Sequence, residues 1–221
     1  MTAAKPSQVT LNHELEAERK GFRLILGIDE AGRGPLAGPV VAAAVALKSS
    51  QFSIPVDDSK KLTPQKRESL FQEILAQAYV GVGVMNENVI DEYNILRATF
   101  MAMETAVYQL LSKLPPDDFK AEDFSKQICL LIDGNQFKTE LPYAYETIVA
   151  GDSLSLSIAC ASIIAKVTRD RILKVYDRIF PQYGFAQHKG YGTLQHRQAI
   201  QRHGLSSIHR RSFVENFLAT A

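Results

Sequence analysis

Two adjacent carboxylates, Asp29 and Glu30, stand where the apolar run Leu24-Ile25-Leu26-Gly27-Ile28 stops, and the turn Gly32-Arg33-Gly34-Pro35 follows one residue later. Hard oxygen donors beside a backbone with few side chains suit a divalent cation that holds a phosphate. The device recurs. Ile128-Cys129-Leu130-Leu131-Ile132 ends in Asp133-Gly134-Asn135, and Asp152 follows Gly151 just after the β-rich Tyr145-Glu146-Thr147-Ile148-Val149. One acidic residue at a strand exit is often only a cap. Three at one sheet edge would repel each other and raise one another's pKa values unless cations neutralised them. That pattern points to a metal site. Adjacent strand residues face opposite sides, so Asp29 and Glu30 are expected to share a site only if the strand ends or bends between them.

The elements that must carry these groups follow from periodicity and punctuation. Strands are predicted at about 23–29 and 40–47, joined through the Gly-Pro turn as an antiparallel pair. Thr63 caps and Pro64 starts a helix to about residue 78. Val80-Gly81-Val82-Gly83-Val84 reads as the third strand. A long helical pattern covers about 88–114 and stops at Pro115-Pro116. Residues 117–126 read as a charged surface loop. Strands at about 127–133 and 145–149 precede a helix over about 153–180. A Gly-rich loop at 184–192 and one or two short helices complete the chain, the last an amphipathic closing helix around Arg210 to Phe217. Antiparallel strands first and helix-linked strands later indicate an α/β fold, a mixed sheet with helices on its faces.

Six runs occur in order: Asp29 to Pro35, Asp58-Ser59-Lys60-Lys61-Leu62, Ile132 to Asn135, Gly151-Asp152-Ser153, Ala161 to Val167 with Arg169-Asp170-Arg171, and His188-Lys189-Gly190-Tyr191-Gly192-Thr193. Together they resemble bacterial ribonuclease HII, a type 2 ribonuclease H, over most of the chain. The related type 3 enzymes carry an additional N-terminal domain; here a short polar leader, residues 1–20, precedes the first strand. The resemblance implies a ribonuclease H-like mixed five-stranded sheet flanked by helices, a single catalytic domain over residues 1–221, and a loop and helical C-terminal extension over about 181–221. It also implies an acidic quartet of Asp29, Glu30, Asp133 and Asp152 holding two divalent cations, Mg2+ or Mn2+. By that likeness Asp29 bridges both ions, Glu30 and Asp133 serve the leaving-group ion, and Asp152 the nucleophile side. Asp170 competes for the fourth place, but inside a helix between Arg169 and Arg171 a structural ion pair is the expectation.

The expected substrate is an RNA–DNA hybrid, or duplex DNA carrying an embedded ribonucleotide, cut on the 5′ side to leave 3′-hydroxyl and 5′-phosphate ends, with a role in ribonucleotide removal. A 2′-hydroxyl distinguishes a ribonucleotide from its DNA neighbours. Gly32-Arg33-Gly34 presents backbone groups that could bond it, and Tyr191 resembles the family tyrosine that contacts it and packs on the next sugar. Ser59, Lys60 and Lys189 are candidate phosphate contacts; Asn94 and Lys166 are candidate groove residues. His188, His196, His203 and His209 lack zinc spacing and are expected at the surface or facing nucleic acid. A non-catalytic nucleic-acid-binding module would lack one of the acids. Another nuclease or integrase-like enzyme on this fold would cut plain DNA.

Composition agrees. The 221 residues carry a net charge of +1, but residues 153–221 hold ten Lys or Arg against Asp170, Asp177 and Glu215, a net of +7, so the preceding part carries −6. An acidic half beside a basic half suits a metal site facing a polyanion. The run Val40 to Leu47 is too short to cross a bilayer, and Met1-Thr2-Ala3-Ala4-Lys5-Pro6 lacks the apolar core of a secretion signal. Cys129 and Cys160 lie in apolar surroundings and read as buried free thiols. The expectation is a cytoplasmic, monomeric enzyme with no membrane partner.

Overall fold

The computed structural model describes residues 9–53, 55–57, 59–115 and 124–218. A helix α1 (Asn12–Arg19) precedes β1 (Leu24–Ala31) and β2 (Val40–Leu47). Helix α2 (Pro64–Gln77), β3 (Ala78–Met85) and α3 (Glu87–Leu111) follow, then β4 (Ile128–Asp133) and β5 (Ala144–Ile148). The C-terminal part holds α4 (Leu156–Ile179), α5 (Phe185–His188), α6 (Leu194–His203) and α7 (Arg211–Leu218). The sheet order is β3-β2-β1-β4-β5, antiparallel on the β1–β2–β3 side and parallel on the β1–β4–β5 side. This is the expected five-stranded mixed sheet flanked by helices. β1 is the strand at which pairing changes direction, and such switch points leave a crevice beyond the strand ends.

The small residues of the central strands are explained by helices on both faces. One core joins Leu26, Ile28, Val40 and Ala42 to Ala98, Ala102 and Ala106 of α3. The other joins Ala43 and Val45 to Leu70 and Ile74 of α2 and to Ala159, Ile163 and Ile164 of α4. β2 is buried on both sides, and its run of alanines lets the helices close in. β3 goes further: a Cβ at Gly81 or Gly83 would lie 1.9 Å from the backbone oxygen of Ala106 or Ala102. α3 therefore rests directly on the β3 backbone.

Thr63 does cap α2, accepting from the Lys66 amide, with Pro64 in the first turn. Four expectations are corrected. The leader is not merely a polar approach, because α1 packs its Glu14 and Ala17 inward. β1 does not end between Asp29 and Glu30; the ladder with β2 continues to Ala31↔Val41, whereas pairing with β4 stops at Ile28↔Ile132. The long helix α3 is broken at Asn94, whose φ of 65° and ψ of 165° are non-helical. The helix predicted from residue 153 starts at Leu156, with Ser155 as its cap and a 3-10 turn, Gly151–Ser153, before it. Of the predicted charged loop, residues 117–123 lie outside the described residues, and Phe124–Gln127 form a 3-10 turn. Cys129 and Cys160 are free and buried, as expected. No helix among the described residues is long and apolar enough to cross a membrane.

Candidate active site

The carboxylates gather at the carboxyl ends of the parallel strands. Asp29 is near the end of β1, Asp133 is the last residue of the neighbouring β4, and Asp152 sits in the 3-10 turn that follows β5. The turn is tied to the strand by the Gly151 amide, which donates to Asp133 Oδ1 at 2.7 Å. The Glu30 amide donates to Asp29 Oδ1, also at 2.7 Å. Asp29 and Asp152 are buried. Burial drives the Asp29 carboxyl well above its usual range, with Glu30 and Asp133 adding repulsion and the Ser162 hydroxyl opposing it. Burial also raises Glu30, against the pull of Arg33. Asp133 is raised by burial and by the negative charge of Asp152. Perturbation by mutual charge in a cleft is the pattern in which functional sites are found.

Cations already lean on this cluster. Arg33 Nη1 is 3.2 Å from Glu30 Oε1, and Lys60 Nζ is 3.4 Å from Asp152 Oδ2. Among the described residues no three acidic, histidine or cysteine side chains converge into a closed cage for a metal ion. The donor set still fits a hard divalent cation. Mg2+ keeps several waters and needs only one or two carboxylates plus substrate phosphates, and like-charged groups stand apart until a cation joins them.

Beside the acids lies a cavity of about 320 Å³ lined by Glu30, Gly32, Ser59, Lys60, Lys166 and Tyr191, together with Arg67, Ser162 and Arg169. Six of the predicted residues therefore share one concavity. The Tyr191 ring is half exposed and stands over Gly34, where a Cβ would lie 3.7 Å from Tyr191 Cε1. The two glycine-bounded turns are locked together by the Leu36 amide donating to Gly190 O at 2.8 Å.

Other predicted residues are placed differently. Ser59 is buried, with its hydroxyl 2.9 Å from that of Ser162. Lys166 pairs with Asp170 at 2.7 Å, so Asp170 is in an ion pair, though with the lysine one turn earlier and not an adjacent arginine. Lys189 has a left-handed backbone (φ 53°), turns its ammonium back to Ala186 O, and lines the neighbouring cavity that Lys166, Arg171 and Lys174 share. Asn94 is separate again: it caps the second part of α3 by accepting from the Leu96 and Arg97 amides, and it borders a cavity of about 530 Å³ with Phe100 and Lys138.

The groups that hold the two glycine-bounded turns in place were not foreseen from the sequence. Arg169 and Arg210 are almost wholly buried, and they hydrogen-bond to backbone carbonyls. Arg169 donates to Pro39 O, Ala37 O and Lys189 O at 2.9–3.1 Å. Arg210 donates to Gly32 O, Arg33 O and Gly38 O at 2.6–2.9 Å. Each guanidinium thus satisfies several carbonyls that a tight turn leaves over. Beneath them, three histidines expected at the surface are buried: His188 stacks on His196, and His196 Nε2 is 3.0 Å from His209 Nε2. They pack on Tyr183 and Phe185, and His196 Nδ1 is 2.9 Å from Tyr191 O. Only His203 of the four is exposed. Arg169 and His188 lie within runs that carry the resemblance, but isolated single residues give no period, so nothing in the sequence marked the burial or the partners of these arginines and histidines; Ser162 and Lys166 stand one helical turn apart.

Comparison with known proteins adds to this geometry. A family profile described as ribonuclease HII matches residues 26–216. The ribonuclease HII of Geobacter sulfurreducens is 52% identical over 210 residues, covering 95% of this chain and 90% of that protein. That of Syntrophus aciditrophicus is 53% identical over 201 residues, covering 90% and 88%. Among solved structures, ribonuclease H2 of Pyrococcus horikoshii OT3 superimposes with a TM-score of 0.64 at 26% identity, over 86% of this chain and 93% of that one. An RNase HII of Archaeoglobus fulgidus, solved in complex with PCNA, gives a TM-score of 0.66 at 24% identity, over 86% and 94%, and is similar in fold.

Proposed function

The chain belongs to the ribonuclease HII family, and on that premise we propose that Asp29, Glu30, Asp133 and Asp152 form its hydrolytic centre and that it cuts both RNA–DNA hybrids and duplex DNA at single embedded ribonucleotides. Ribonuclease H activity on hybrids and dependence on a divalent metal come with the family. The quartet, two cations, a choice of Mg2+ or Mn2+, and incision on the 5′ side with 3′-hydroxyl and 5′-phosphate products are our reading. The observation that carries it is the convergence of mutually repelling carboxylates beside a cavity lined by Gly32 and Tyr191, with the Tyr191 ring next to Gly34.

Two divalent cations on these carboxylates would supply an activated water, a neutralised phosphoryl oxygen and a stabilised leaving oxygen. The chain's own part is to hold and orient. Asp133 is fixed by the Gly151 amide and Asp29 by the Glu30 amide, so both enter the reaction with one oxygen already directed. Arg33 and Lys60, now paired with Glu30 and Asp152, are counter-charges that a scissile phosphate can take over. Arg210 commits the carbonyls of Gly32 and Arg33, so the turn has its amides to offer to a ribose hydroxyl oxygen. Tyr191 then supplies an O–H for the same hydroxyl and a ring for the adjoining sugar. The excess positive charge of residues 153–221 binds the duplex without regard to sequence.

Asp133→Asn tests the centre. It preserves shape and removes one charge, so cleavage should fall by about 10³ or more, several kcal/mol of transition-state stabilisation. Mn2+ binding followed by calorimetry should weaken in parallel while the protein stays folded. A variant that cleaves near normally would refute the quartet. Asp170→Asn is the matched comparison: losing the Lys166 pair should cost stability more than cleavage.

A further inference from the structure

Helix α1 lies at the acidic turn, and its Glu14 is a buried carboxylate. Glu14 Oε1 accepts from Ser155 Oγ at 2.6 Å, from Ser157 Oγ at 2.7 Å and from the Ser157 amide at 2.8 Å. Its other oxygen, Oε2, is buried with no hydrogen-bond partner. Residues just before the helix close the same grip: the Thr10 amide donates to Leu154 O at 3.0 Å and the Leu156 amide to Thr10 O at 2.9 Å. The clamped residues follow directly on Asp152. The Ser155 amide donates to Gly151 O at 2.8 Å, and the Gly151 amide holds Asp133. The turn itself starts from a left-handed Ala150 (φ 57°), a conformation a non-glycine residue keeps only when its surroundings enforce it. A half-satisfied buried carboxylate is a poor way to gain stability; it is an effective way to fix a helix end.

We propose that Glu14 is a positioning residue for the metal-binding centre, fixing the first turn of α4 and through it the Gly151-Asp152 turn. The proposal rests on the assignment of Asp152 to that centre. Groups that orient a metal ligand typically govern affinity by about 10–100-fold. Glu14→Ala should therefore weaken Mn2+ binding, measured by calorimetry on the full chain, by about tenfold or more, and lower kcat with little change in KM for an RNA–DNA hybrid. Glu14→Gln keeps the accepting oxygen and places its amide at the unpartnered position, so it should restore most of both. Glu16→Ala, on the exposed face of the same helix where Glu16 pairs with Lys20, should leave both unchanged. If Glu14→Ala does not fold, Ser157→Ala removes one donor and should move Mn2+ affinity in the same direction by less. A folded Glu14→Ala protein that has lost thermal stability but binds Mn2+ as before would overturn the proposal, as would a Ser157→Ala protein with unaltered affinity. Asp152→Asn, measured in parallel, separates the two ideas: unimpaired Mn2+ binding and cleavage there would remove Asp152 from the centre.

Discussion

Tyr191 is the residue whose role is most sharply testable. Its ring is exposed over Gly34, and its backbone is held from below by His196 and from the side by the neighbouring turn. Tyr191→Phe removes the hydroxyl and keeps the ring; Tyr191→Ala removes both, and stacking losses alone amount to about 1–3 kcal/mol. Cleavage rates should therefore fall much further for Ala than for Phe. The deficit should be larger on a single embedded ribonucleotide than on a long hybrid, where neighbouring ribonucleotides offer other registers. Equal losses on both substrates would make Tyr191 a structural residue. The carboxylates could be read from the sequence because each ends an apolar run and is marked by an adjacent residue or a glycine. Arg169 and Arg210 could not, since all but one of their partners are carbonyls more than a hundred residues away in sequence.

At the scale of elements, the proposed substrate site depends on two turns being pinned against α4. Gly32 has φ 97°, and a Cβ there would lie 2.0 Å from Arg169 Nε and 2.8 Å from Pro39 O. Gly32→Ala thus combines a left-handed strain of about 1–2 kcal/mol with displacement of the guanidinium that holds three carbonyls. We expect Tm to fall by about 4–8 °C, the scale of about 2 kcal/mol in a chain of this size. Cleavage of the embedded ribonucleotide should fall more than cleavage of a hybrid. Calorimetry and rate measurements on the one variant check both; an unchanged Tm would mean that Arg169 moves aside without cost. Strands and helices followed their periods, and Thr63-Pro64 marked its helix start. What periodicity did not reveal was α1, whose polar leader hides one inward glutamate, and the break at Asn94, an αL-tolerant residue inside an otherwise unbroken helical pattern.

For the whole molecule, the buried charges predict how stability responds to pH and metal. Asp29, Glu30 and Asp133 have raised pKa values in the folded state, so their contribution is complete below the ordinary carboxylate range and is lost as pH rises through the raised values. His196 and His209 are pulled down to about 4, chiefly by burial, so their contribution is complete above an ordinary histidine pKa and is lost as pH falls through about 4. Metal-free protein should accordingly lose Tm on the alkaline side, where the acids are ionised, and again as pH falls toward about 4, where the two histidines take up protons. Mg2+ should raise Tm at pH 8 and remove the first loss, and Asp133→Asn should not show that rescue. A Tm insensitive to Mg2+ would count against a cation among these acids. The mixed sheet was legible from short and helix-linked connections, but the order β3-β2-β1-β4-β5 was not, because pairing across the sheet is decided by helices packing on both faces.

One acidic centre and one pair of glycine-bounded turns are proposed to cut where a ribose enters DNA. Duplex DNA bearing a single ribonucleotide, incubated with and without Mg2+ beside an all-DNA duplex of the same sequence, tests it most directly. Metal-dependent incision on the 5′ side of the ribonucleotide is expected, leaving a 3′-hydroxyl and a 5′-phosphate, with the all-DNA duplex intact. Incision of the all-DNA duplex, or cleavage that persists after chelation, would contradict it.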